Sequence, residues 1–182
     1  MTYYGPKELA ASFRQVRSNT TQIAEDIAEK NYEFRAAPDC RTVAQTLVHI
    51  AFLSHLHLHL HRNRVSDLNA VNFMELLQPI GAEEGKPRTK AEIVELLRSR
   101  GDEFASYLDS LSEGFLAEPV AMPAGTQPAT KSRFEMLLSP KEHEMHHRGQ
   151  LMVVERMLGM TPHLTRQMQE RMARRAPAQA AS

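Results

Sequence analysis

Apolar residues recur along most of this chain at alternating intervals of three and four, the period of a helix with one buried face. Leu9, Phe13, Val16, Thr20, Ile23 and Ile27 form the first such stripe. It follows Pro6, a residue suited to a first helical turn, and predicts a long helix ending near Lys30-Asn31. A polar connector with Pro38-Asp39 leads to Thr42-Val43-Ala44-Gln45. A hydroxyl and a Gln three residues apart can satisfy each other's orphan amides, the capping box that opens a helix. This second helix is predicted to run to Arg62. Thr89-Lys90-Ala91-Glu92 is another capping box, followed by Ile93, Leu96, Leu97, Phe104, Leu108 and Leu111 on one face. Ser132-Arg133-Phe134-Glu135 opens the fourth long helix in the same way.

Prolines and glycines punctuate the rest. Pro140 lies inside the fourth helix and is expected to kink or interrupt it, because proline lacks the amide donor and crowds the preceding turn. Gly159 reads as a helix stop, and Thr161-Pro162 starts an exposed last helix. Residues 63–88 predict a short helix around Ala70–Gln78, with Pro79, Gly81, Gly85 and Pro87 breaking regularity beyond it. Residues 114–131 read as a long loop. Strand patterns are nearly absent, and there is no internal repeat. The expectation is an all-α four-helix bundle with long connectors and an extra C-terminal helix. It forms a single domain over residues 1–175, followed by a disordered Ala/Pro/Gln tail over 176–182. The connector lengths leave room for crossovers.

Composition narrows the function classes. A chain of 182 residues can bury a substantial core within one domain. Lys plus Arg balances Asp plus Glu at 22 each, so no global field steers the protein to nucleic acid or an anionic membrane. Arg166, Arg171, Arg174 and Arg175 read as a solvated helix face. No apolar run is long enough to span a bilayer, and no signal-peptide pattern is present. The single cysteine, Cys40, excludes an internal disulfide and suits a reducing compartment, so a cytoplasmic location is expected. No local feature activates its thiol, and it reads as structural.

The chemistry concentrates in Lys141–Gln150. His143 and His147 stand one turn apart and point the same way, with Met136, Gln150, Val154 and Leu158 within roughly 60° on the helical wheel. An i, i+4 pair of neutral imidazoles can grip one ion. The best third donor is His49, in line with Leu53, Leu56 and Leu60 on the second helix. Alone it would read as a histidine hydrogen-bonded inside a bundle. Beside the pair it completes a three-nitrogen site for one divalent ion, with a position left for water. Nickel, zinc and iron all accept imidazole, so the ion's identity stays open.

Leu47-Val48-His49-Ile50, followed far downstream by His143-x-x-x-His147-Arg148-Gly149-Gln150, resembles the DinB/YfiT-like family of metal-binding four-helix bundles. The resemblance covers residues 6–160. It implies that His49, His143 and His147 are the metal ligands, usually for nickel or zinc, and that the protein is a homodimer. It also implies an enzyme acting on a small molecule, as a hydrolase or as a transferase of low-molecular-weight thiols. The alternative is a non-catalytic bundle that the ion staples together.

Other readings use the same residues. His143-Glu144-x-x-His147 matches the H-E-x-x-H metallopeptidase motif, in which the Glu is a general base. Its longer form needs Gly and His where this chain has Gln150 and Val153. Glu144 is still the one carboxylate here that can be nominated as a catalytic helper; its plainer reading is a solvated helix carboxylate. The alternating run from His55 to His61 reads as rim or exposed histidines, with His57 best placed to reach an interior. His146 points away from the pair's direction and is a poorer ligand. Arg148 reads as a structural partner, Gly149 as permitting a close helix approach and Gln150 as a support for the site.

Overall fold

Capping boxes set where three of the long helices begin. The computed structural model describes residues 4–179. Thr42 accepts the Gln45 amide at 3.1 Å and donates its own amide to Gln45 at 3.0 Å, opening α2 (Val43–Arg62). Thr89 with Glu92 opens α4 (Lys90–Asp109), and Ser132 with Glu135 opens α6 (Arg133–Met157). The first helix, α1 (Pro6–Asp26), stops at Asp26 and gives way to a 3-10 turn at Glu29–Asn31. Gly159 adopts a φ of 76°, a left-handed conformation that only glycine adopts freely, and so ends the turn after α6. The last helix, α7, is His163–Gln179. The final residues of the expected tail, 180–182, lie outside the described residues.

Three sequence expectations are corrected. Helix α6 runs unbroken through Pro140, which is buried in the packed face. The missing amide removes one backbone hydrogen bond, and the packing of both flanking segments outweighs that loss. Helix α3 (Phe73–Glu84) likewise continues past Pro79 and Gly81. Residues 114–131 are not one loop: they hold the end of α5 (Glu113–Ala117), β1 (Pro119–Ala121) and the start of β2 (Thr130–Ser132). The two strands pair antiparallel, with Val120 opposite Lys131. Three residues are too few for alternation to be legible, but Val120 is fully buried and anchors the hairpin.

Helices α1 and α2 each pack against both α4 and α6. The two consecutive long helices α1 and α2 therefore face each other across the bundle, and the connector between them is a crossover. All six predicted stripe residues of α1 are buried. One core cluster gathers Ile23, Leu47, Ile50, Ile93, Leu97 and Leu151; a second gathers Leu9, Phe13, Leu58, Phe104, Leu108 and Leu137. A third, around Leu60, Leu68, Val120 and Met136, lies beneath the hairpin. The core-facing stripe of α2 is Leu47, Ile50, Ala51, Ser54, Leu58 and His61, so His49 stands on its flank. Helix α2 touches α3, α4 and α6. It is apolar over most of its circumference, and its leucines alone do not single out one inward direction.

Arg17 is buried at the centre. Its Nε lies 3.0 and 3.1 Å from the two carboxylate oxygens of Glu144, and its Nη2 donates to Glu144 Oε2 at 2.9 Å. Nη1 donates to the Leu97 carbonyl at 2.8 Å and Nη2 to the Ile50 carbonyl at 3.3 Å. A Cβ on Gly101 of α4 would come within 2.6 Å of the Arg17 side chain, so glycine makes room for its stem.

Candidate metal centre

His49 projects from the first half of α2, and His143 and His147 project from successive turns of α6. One ring nitrogen of each lies within 4.8 Å of the others. Nε2 of His143 is 3.4 Å from Nε2 of His49 and 3.2 Å from Nε2 of His147. The opposite edges of two rings are tied down. His49 Nδ1 lies 2.7 Å from Glu84 Oε1, and His147 Nδ1 lies 2.7 Å from Gln150 Oε1. A carboxylate accepts only, so His49 donates through Nδ1 and its Nε2 carries a bare lone pair. The Gln150 carbonyl does the same for His147. A neutral His143 ring carries a single N–H and can serve only one of these two lone pairs, whereas a cation among the three nitrogens satisfies all of them.

The spacing fits one. Metal–nitrogen bonds of about 2.0–2.1 Å in a tetrahedral shell set the nitrogens about 3.3–3.4 Å apart, against the 3.2 and 3.4 Å here. Protonation is disfavoured as well. Burial, reinforced by the neighbouring imidazoles and Arg41, pushes His143 down to about 4. Burial also lowers His49 and His147, against the opposing pull of Glu84 on His49 and of the Gln150 hydrogen bond on His147. Neutral imidazoles are the ligand form.

Glu84, at the end of α3, is the residue that sequence reasoning missed. Besides His49 it accepts Arg41 Nε at 2.6 Å, so Arg41, Glu84 and His49 form one chain of charge-assisted hydrogen bonds. A cavity of about 690 Å³ adjoins the cluster. His147, Gln150 and Arg41 stand at its polar side, and Phe34, Val43 and Val154 supply apolar wall.

The remaining candidates are distributed differently from the sequence reading. Glu144 is 2% exposed and bound to Arg17, so it is neither solvated nor directed at the histidine nitrogens. Met136 and Val154 are buried as the wheel predicts, whereas Gln150 is exposed and joins His147 to His146. His55 and His59 are exposed, but His61 is 1% exposed. The segment read as loop supplies Phe115, which packs edge-on against the His61 ring. No described helix is long and apolar enough to cross a membrane.

Fold and site together define a four-helix bundle with a three-histidine cluster between two of its helices, able to hold a divalent metal. Residues 12–151 match the DinB superfamily, and the chain belongs to it. Among its relatives, the uncharacterized protein YjoA of Bacillus subtilis is 23% identical over 154 residues, spanning 85% of this chain and 91% of YjoA. The crystal structure of YjoA, a DinB-like protein, matches with a TM-score of 0.62, covering 85% of this chain and 94% of its own at 19% identity. YfiT of Bacillus subtilis, described as a probable metal-dependent hydrolase with an unusual four-helix bundle topology, matches with a TM-score of 0.67 at 12% identity. That match covers 88% of this chain and 91% of YfiT. At these identities the likeness is one of fold.

Proposed function

We propose that this protein is a metal-dependent enzyme, a hydrolase in the first instance, in which His49, His143 and His147 hold one nickel or zinc ion. The observation that carries this reading is the convergence of three Nε2 atoms, with the His49 ring oriented by Glu84 and the His147 ring by Gln150. When bound, the ion supplies Lewis acidity, which serves ester or amide hydrolysis and thiol transfer alike. The chain supplies the rest. Glu84 and Gln150 fix the rings and their tautomers before any ligand arrives. Val154 and Phe34 wall off the adjoining cavity, where a small-molecule substrate is held against the cluster. Glu144 anchors α6 to Arg17 and thereby holds the two turns that bear His143 and His147. The cavity beside the histidines favours catalysis over a purely structural ion.

The test is a screen of the metal-loaded protein against ester, amide and electrophile-plus-thiol substrates, with His147→Ala as control. Turnover that disappears in the variant is the expected result. Activity that survives the substitution overturns the metal chemistry. No turnover with any substrate leaves the ion as a staple between α2 and α6.

A further inference from the structure

The cavity beside the histidines pairs apolar walls with one guanidinium, Arg41, and one carboxylate, Asp39, and of the two it is Arg41 that is tied to the histidine cluster through Glu84. Arg41 lines it, at the end of the connector that leads into α2. Its guanidinium is not adrift: Nε donates to Glu84 Oε2 at 2.6 Å, and Nη2 reaches Glu84 Oε1 at 3.5 Å. Because Glu84 also accepts the hydrogen bond from His49 Nδ1, the guanidinium is held in register with the ring cluster rather than swinging in solvent. Nη1 has no partner among the described residues, and the side chain keeps 44% of its exposure. A planar, preorganised fork with a free edge recognises carboxylate or phosphate oxygens. Around it, Phe34, Val43, Leu151, Val153 and Val154 offer aromatic and branched aliphatic surface.

We infer that the cavity takes an amphipathic anion, with its acidic group on Arg41 beside the histidine cluster and its apolar part along Phe34, Val43 and Val154. This rests on the cavity being the substrate site of the proposed enzyme, and it makes Arg41 the residue that sets charge specificity. Glu84 cancels part of the guanidinium charge, and Asp39 adds a carboxylate to the cavity lining. Selectivity therefore arises from the donor geometry of the fork together with the apolar wall, and both parts of the ligand are needed.

The probes are hexanoate, 1-hexanol and hexylamine, titrated calorimetrically into metal-free and nickel-treated protein. Metal-free protein is expected to bind hexanoate about tenfold more tightly than either other probe, the contribution of one charge-assisted contact. Arg41→Gln reduces that ratio to near one, and Arg41→Lys retains part of it. Circular dichroism of both variants checks that the bundle is intact. Equal affinity for the three probes, binding of none of them, or a preference that survives Arg41→Gln overturns the inference. So does a preference that arises only after nickel loading, which would put the carboxylate on the ion instead. Protein that binds no nickel yet prefers hexanoate through Arg41 sinks the metal reading and leaves this one standing.

Discussion

Two i, i+4 histidine pairs lie inside this bundle, and they have opposite surroundings. His143 and His147 bring Nε2 atoms to 3.2 Å, with ring centroids 4.5 Å apart and planes at 76°. His57 and His61 are stacked, with centroids 6.3 Å apart and planes 16° from parallel. The first pair meets a third imidazole from α2, backed by the Glu84 carboxylate. The second meets Arg133, whose Nη1 lies 3.2 Å from His61 Nδ1, and no third donor joins it among the described residues. His57 Nδ1 and His61 Nε2 are buried without partners. Identical spacing on a helix thus yields a convergent donor set in one place and a stacked pair without a third donor among the described residues in the other. What decides is the facing element: a carboxylate-supported imidazole in one case, a guanidinium in the other.

The sharpest way to break this contrast is to delete one member of each pair. His143→Ala should abolish stoichiometric nickel binding, and His57→Ala should leave it unchanged, as read by metal analysis after equilibrium dialysis. Equal losses would erase the distinction. A second substitution separates ligand from scaffold on α6. Glu144→Ala strands the buried Arg17 charge and should cost about 3–5 kcal/mol in urea denaturation, while the folded fraction still takes up one nickel.

The smallest effect is in pH. Burial, helped by His57 and Arg133, pushes His61 down to about 3 from 6.5, and burial pushes His57 to about 4. Below pH 6.5 the unfolded chain takes up protons that the folded chain refuses. The stability these groups allow is therefore complete above 6.5 and is lost as pH falls through the window toward 3. In metal-free protein His61→Gln should remove up to about 1.4 kcal/mol per pH unit from that decline, measured by urea titration at pH 7 and 4.5. An unchanged slope would mean that His61 is hydrated after all.

Local signals on the sequence located the long helices and the histidine set. Capping at Thr42, Thr89 and Ser132 depends on residues three apart, and the α1 stripe on residues three and four apart, so both are written in short windows. His143 and His147 were legible for the same reason. Glu84 was not. A ligating imidazole needs an acceptor behind it, but nothing near Glu84 says that the end of α3 comes to rest against His49. Glu144 failed in another way: its motif neighbours suggested water chemistry, while its partner Arg17 lies 127 residues away on α1. Pro140 misled because proline's local penalty says nothing of the tertiary packing that exceeds it, whereas Pro79 lies exposed in a helix whose one buried residue is Ile80, and packing does not explain its place there.

Arg17 has a consequence for how the bundle assembles. Its guanidinium belongs to α1, fits the gap at Gly101 and donates to the Leu97 carbonyl, both on α4, donates to the Ile50 carbonyl of α2 and closes on Glu144 of α6. No pair or trio of helices satisfies it. A half-built bundle that dehydrates this side chain holds a cation with missing partners, and one that keeps it wet leaves the middle of the core open. Partly assembled states are penalised from both sides, and the four long helices are driven to order together, with Arg17 as the latch that registers whether all of them have arrived.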